Sequence, residues 1–151
     1  SEVATRLFGY FLTWMQEKTA QVFVVTTAND ISVLPPELLR KGRFDEIFYV
    51  DFPNEAERKA IFRVHLDKRK KMNQQIDLHK LAKATDKYSG ADIESIVKEG
   101  IERAFLANRA ELDTQRLMQV IEATHPLGMV MKDKVKQYQN RFAEMKIKSA
   151  S

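Results

Sequence analysis

Apolar positions recur at three- and four-residue spacing over residues 3–18: Val3, Leu7, Phe8, Phe11, Leu12 and Met15. That spacing predicts a helix with one apolar face. The period then breaks. In QVFVVTTAND, positions 22–25 form a continuous β-branched and aromatic run, which predicts a strand buried on both faces. Asn29-Asp30 supplies the turn that stops it. Pro35-Pro36 opens a short helix over 37–40, because proline suits a first helical turn. EIFYVDF (46–52) predicts a second buried strand, ended by Pro53.

From Asn54 onward the pattern is helical. Asn54 caps a helix running to Arg69, with Ile61 and Val64 turned inward. Asp77 caps a short helix carrying Leu78, Leu81 and Ala82. Ser89 caps a long one, with Asp92 three residues on as a capping box. Its stripe is Ile93, Ile96, Val97, Gly100, Ile101, Ala104 and Phe105. Asp113 caps a fourth helix with Leu117, Val120 and Ile121, broken by Pro126 and Gly128. A last helix carries Met131, Val135, Tyr138, Phe142 and Met145. The expected organisation is strand–helix–strand, then a helical bundle, with the joint near Pro53-Asn54.

Composition adds limits. The chain has 151 residues, 44% of them apolar and 30% charged, enough for one domain or two small ones. It has no cysteine, so no disulfide and no thiolate metal site. His79 and His125 lack metal-ligand spacing, so no metal site is expected. No apolar run approaches the roughly 20 residues of a membrane helix. The net charge of +4 and the basic run DKRKKM (67–72) are those of a solvated surface, and nucleic-acid contact is disfavoured. The chain opens on Ser1, which suggests a fragment or a processed product.

Residues 21–53 resemble the second region of homology of AAA ATPases. There, a buried strand ends in a polar sensor-1 residue, a short helix follows, and arginine fingers in an R-x-G-R-F-D pattern precede another strand. VFVVTTAND and LPPELLRKGRFDEIFYVDFP stand here in that order and spacing. In the helical part, IFRVHL and YSGADIESIV resemble the family's lid, whose histidine lies near the nucleotide and whose Gly-Ala-Asp opens a helix against the adenine. The wording is nearest to an uncharacterised bacterial and plastid branch, and the resemblance covers about residues 1–125. It implies the C-terminal part of a P-loop NTPase α/β core over 1–53, an all-α lid over 54–130, and a C-terminal helix and tail over 131–151.

The resemblance implies roles for named residues, each with a plainer alternative. Asn29, at a strand end, would orient a water or a γ-phosphate oxygen; an Asx-turn explains it as well. Arg40 and Arg43 would be arginine fingers reaching a neighbouring subunit's site, where a guanidinium offsets charge on the transferred phosphoryl group. Gly42 would let the backbone turn between them. Otherwise they are surface arginines bridging Glu37, Asp45 or Glu46, at little gain. His65 would touch sugar or base, or be a half-buried core histidine. Gly90 and Ala91 would let a flat base approach the backbone, or serve only the cap. Trp14 lies off the apolar stripe and fits either a docking contact or a pore face.

The chain holds no G-x-x-x-x-G-K-[ST]. IFYVDF imitates a Walker B strand, but Phe52 stands where a water-activating Glu is needed. By resemblance, the P-loop and Walker B carboxylates precede Ser1, and the P-loop strand lies between the two strands predicted here. Without it, both strands would leave hydrophobic edges unpaired, so the isolated chain should rearrange, pair or aggregate. The resemblance implies ATP with Mg2+ in an intact parent, whose Mg2+ ligands lie outside this chain, a homo-oligomeric and hexameric ring, and a cytoplasmic location. This chain alone is expected to be inactive. The competing readings are a non-catalytic helical interaction module and a DNA-associated protein.

Overall fold

The computed structural model describes residues 2–30, 34–39, 42–108, 111–145 and 147–149. The chain forms two units, Ser1–Ile47 and Phe48–Ser151.

In the first unit, helix α1 spans Glu2–Glu17. Phe8, Phe11, Leu12 and Met15 are half-buried, but Val3 and Leu7 are exposed, so only part of the expected stripe finds cover. Trp14 stacks on Phe11 with ring centroids 6.1 Å apart, and the Lys18 ammonium lies 6.0 Å from the Trp14 ring. Pro36–Leu39 forms a single 3₁₀ turn.

The expected buried strand at 22–25 does not form. Residues 21–28 enter no β-ladder among the described residues, and Phe23 is 93% exposed. The reason lies in strand physics. A strand is stable only when a neighbour pairs its N–H and C=O groups. The run has a buried strand's side chains, but the described residues supply no partner. The expected α/β core is therefore not built by the described residues, which are mostly helical.

The second unit opens on β1, Phe48–Tyr49, two residues of the seven expected. Helix α2 follows at Glu55–Lys68, α3 at Leu78–Ala84, α4 at Gly90–Leu106 and α5 at Thr114–Ala123. Asn54, Asp77, Ser89 and Asp113 are their N-caps, as the sequence predicts, and Asn54 and Ser89 form full capping boxes. Each cap satisfies amides that a helix start leaves without partners, typically worth about 1 kcal/mol. Helix α2 packs on α3 and α4, and α5 packs on the same two, closing a four-helix ring. Its core is Phe62, Leu66, Leu81, Ile93, Ile96, Val97, Leu112, Leu117 and Val120. The connection before α3 is pinned to the start of α5: Thr114 Oγ1 donates to Gln75 O at 2.8 Å and accepts from Asp77 N at 2.7 Å.

Two inward assignments fail. On α2 the buried line is Arg58, Phe62 and Leu66, while Val64 is exposed. Arg58 belongs to the buried line because carbonyls satisfy its guanidinium: Nε donates to Ala82 O at 3.0 Å and Nη1 to Pro53 O at 2.7 Å. Phe105 continues the α4 stripe in sequence yet is 78% exposed, in the last turn of α4, where Ala104 is the last buried residue. Gly100 lies where α4 and α5 approach closely. A β-carbon there would lie 2.7 Å from Leu117 Cδ2 and 3.4 Å from Leu112 Cδ1, both on fully buried side chains.

Beyond α5 come α6, Leu127–Val130, and α7, Lys132–Glu144. The short strand β2, Lys148–Ser149, pairs parallel with β1, placing Phe48 beside Lys148 and Tyr49 beside Ser149. Of the apolar stripe expected on the last helix, Phe142 alone is buried on α7.

Residues 54–124 are expected to fold alone, with cooperative denaturant unfolding and protected amides in α2–α5; uniformly fast exchange would contradict this. Gly100→Val should lower the stability of that segment by about 1–3 kcal/mol, the usual cost of overpacking, read as a lower denaturant midpoint at constant slope. In the 151-residue chain, Arg58→Met should cost about 1–3 kcal/mol by leaving Pro53 O without its donor; an unchanged midpoint would show that water replaces the guanidinium.

Candidate functional site

The expected site residues divide between the units. Asn29 and Arg43 belong to the first, and His65, Gly90 and Ala91 to the second. Arg40 lies outside the described residues.

Asn29 is exposed at a bend, following an irregular segment rather than the expected strand. Arg43 is half-buried in the turn after Gly42. Gly42 has φ +96°, a left-handed conformation that glycine adopts at little cost. The turn expected between the arginines is therefore present at Gly42. Arg43 makes no ion pair with Glu37, Asp45 or Glu46 among the described residues.

In the second unit, α2 and α4 lie side by side and run the same way. Gly90 faces Ile61, and Glu94, one turn on, faces His65, one turn beyond Ile61. His65 Nδ1 lies 3.2 Å from Arg69 Nη1 and 4.0 Å from Glu94 Oε1. A guanidinium can only donate, so in this pairing Nδ1 accepts and Nε2 carries the ring hydrogen. Arg69 Nη2 also donates to Glu94 Oε1 at 2.8 Å, and Lys98 Nζ reaches the same oxygen at 2.9 Å.

Glu94 therefore holds two cations, Arg69 and Lys98, at one carboxylate oxygen, with His65 bound to Arg69 beside them. Lys98 first, then Arg69, hold its pKa down to about 2. A depressed carboxylate stabilises the fold above its unfolded pKa and loses that contribution as pH falls through the folded value. The window here runs from about 4.5 down to about 2. The sequence reading missed this cluster, although Glu94–Lys98 and His65–Arg69 both stand at i, i+4 spacing.

Gly90 and Ala91 form the first turn of α4. Asp92 N donates to Ser89 Oγ at 3.2 Å, and Ser89 N donates to Asp92 Oδ2 at 2.8 Å. The cap leaves the Gly90 and Ala91 amides without partners among the described residues, as the first positions of a helix require. A β-carbon at Gly90 would meet only Ile61 Cδ1, at 3.9 Å, so packing does not demand a glycine there. Just before this turn, the buried Tyr88 hydroxyl lies 2.9 Å from Thr124 O and 3.2 Å from Ile121 O, tying the start of α4 to the end of α5. Burial, and then the nearby Asp92 carboxylate, raise the Tyr88 pKa. Among the described residues, no group of three His, Asp or Glu side chains is placed to hold a metal ion. No described helix is long and apolar enough to cross a membrane.

Two family models match the chain. The ATPase family associated with various cellular activities (AAA) matches residues 1–52, and the AAA+ lid domain matches residues 75–119. The whole chain is 43% identical to an uncharacterized AAA domain-containing protein, ycf46, of Pyropia yezoensis, and spans 31% of that protein. It is 41% identical to the ycf46 protein of Guillardia theta, again over the whole chain and 30% of that protein. Over 70% of its length it is 37% identical to the ATP-dependent zinc metalloprotease FtsH 1 of Sphaerobacter thermophilus, 16% of which is covered. The chain thus spans less than a third of the length of these relatives. Matched in both its first segment and its lid, the chain belongs to the AAA family of ATPases.

Proposed function

We propose that this chain contributes arginine fingers and a nucleotide-contacting lid to ATP hydrolysis in a ring of identical, hexamerically arranged subunits. Arg43, and with it Arg40, would reach the ATP site of the neighbouring subunit. The observation that carries this reading is Arg43 itself: an arginine without an ion pair among the described residues, set by a left-handed glycine, in a segment matched to the AAA family. A guanidinium outside any ion pair among the described residues would have its charge available for an incoming phosphate, and a finger of this kind typically accelerates phosphoryl transfer about 10³–10⁵-fold.

His65, Gly90 and Ala91 would hold the base and sugar of ATP. The two unpartnered amides offer donors to a base edge, and the missing side chain at Gly90 would let a flat ring approach the backbone. The Glu94 cluster fixes the ring of His65 beside them. Asn29 would orient the attacked phosphate as a neutral amide. ATP with Mg2+, the ring and a cytoplasmic setting are properties proposed for the full-length protein. The core role over residues 1–53, the lid over 54–130 and the tail over 131–151 form part of the same proposal.

The 151-residue chain is expected to release no phosphate from ATP above blank, because it carries no P-loop lysine; turnover abolished by a substitution within the chain would contradict this. In the full-length protein, Arg43→Ala or Arg40→Ala should lower kcat by orders of magnitude with little change in ATP affinity, because a finger acts on charge that develops in the transition state. Mixing an Arg40→Ala subunit with one lacking its P-loop lysine should restore part of the activity if the arginine works in trans. Unchanged turnover in the single variants would mark surface residues, and no recovery on mixing would place the arginine in its own subunit's site.

A further inference from the structure

Residues 131–151 have no part in the reading above, yet the structure binds the end of the chain to the segment that follows Arg43. Helix α7 buries one side chain, Phe142, whose ring stacks on Tyr49 with centroids 4.7 Å apart. One turn earlier on the same face, Gln139 Nε2 donates to Asp51 Oδ2 at 2.9 Å. The other oxygen of Asp51 accepts from Phe52 N at 2.8 Å and lies 3.4 Å from the Tyr49 hydroxyl. Ile147 N donates to Phe142 O at 3.1 Å, which turns the chain so that 148–149 can pair with 48–49. Side-chain stacking, a carboxylate bridge and a backbone ladder thus converge on residues 48–52. Among the described residues, β2 is the only strand paired with β1.

We propose that α7 and β2 act as a strap on residues 48–52 and make Gln139 and Phe142 positioning residues for Arg43. Arg43 precedes Phe48 by five residues. A five-residue tether reaches at most about 18 Å. Anchoring its far end confines the space Arg43 samples, and reactions that depend on placement are sensitive to shifts of about 1 Å. The proposal rests on reading Arg43 as a finger, and the experiment keeps the two apart.

Gln139 is exposed, so its charge can be changed without entering a core. Gln139→Glu sets a second carboxylate against Asp51, whereas Gln139→Lys keeps a donor and adds attraction; glutamate and lysine have similar helix propensities. At neutral pH, amide exchange of the 151-residue chain at 48–52 should quicken roughly tenfold in Gln139→Glu, as expected for loss of one hydrogen bond to a charged group. It should stay at or below the wild-type rate in Gln139→Lys, with α2–α5 unchanged in both. In the full-length protein, Gln139→Glu should lower kcat at constant KM for ATP, and Gln139→Lys should match wild type. Equal exchange in the two variants overturns the strap. Exchange that follows charge while kcat does not overturns the positioning role. Unchanged turnover in Arg43→Ala would instead overturn the finger.

Discussion

A guanidinium taken out of water must find acceptors, and Arg58 finds two that no single helix could supply. One is Pro53 O, at the entry to the helical unit; the other is Ala82 O, in the last turn of α3. Three consequences meet at this side chain. It fixes where the chain enters α2. It holds the end of α3 against α2, where cations suit the exposed carbonyls of a helix terminus. And it lets the line Arg58–Phe62–Leu66 serve as one buried edge, so that α4 and α5 can complete the core against it. Asp86, 4.0 Å from the guanidinium and largely exposed, adds little to this.

The lid is rigid where the proposed chemistry needs it. The start of α4 is held from two sides, by the Ser89–Asp92 box and by Tyr88 on the last carbonyls of α5. The first-turn amides are therefore presented on a fixed frame rather than on a loop. His65 is likewise held by Arg69, which Glu94 holds in turn. The cluster joins α2 to α4 beside Gly90, so a change of angle between these helices would break it. The proposed nucleotide face and the interhelical geometry thus share the same residues.

The helical unit was legible in the sequence to the residue at its four N-caps, because each cap is a local hydrogen bond between neighbours in the chain. The buried face of α2 was not. Apolarity pointed to Val64, whereas the core took Arg58, whose burial depends on carbonyls 5 and 24 residues away. Phe105 misled for the opposite reason: helical period says which way a residue faces, but not whether anything packs there. The run at 22–25 has the composition of a buried strand, and composition carries no information about a partner. The glycine turn beside Arg43 was readable from Gly42, while the Glu94 cluster, divided between two helices, needed the fold to bring it together. The join of the tail to β1 needed it still more, since it links residues 88 apart.

Lys70, Lys87 and Asn108 all adopt positive φ, at 55°, 64° and 51°. Lys70 and Asn108 directly follow the C-caps of α2 and α4, and Lys87 lies in the turn between α3 and α4, so the connections after three successive helices each pass through a left-handed residue that is not glycine. After α2 the turn is closed by Lys71 N on Leu66 O at 2.9 Å, a bond that spans the lysine. A side chain in that conformation commonly costs about 1 kcal/mol relative to glycine. The unit therefore holds an unspent margin of stability in its connections. That strain is offset by the packed core, so glycine at these positions would raise the stability of the unit rather than alter its fold.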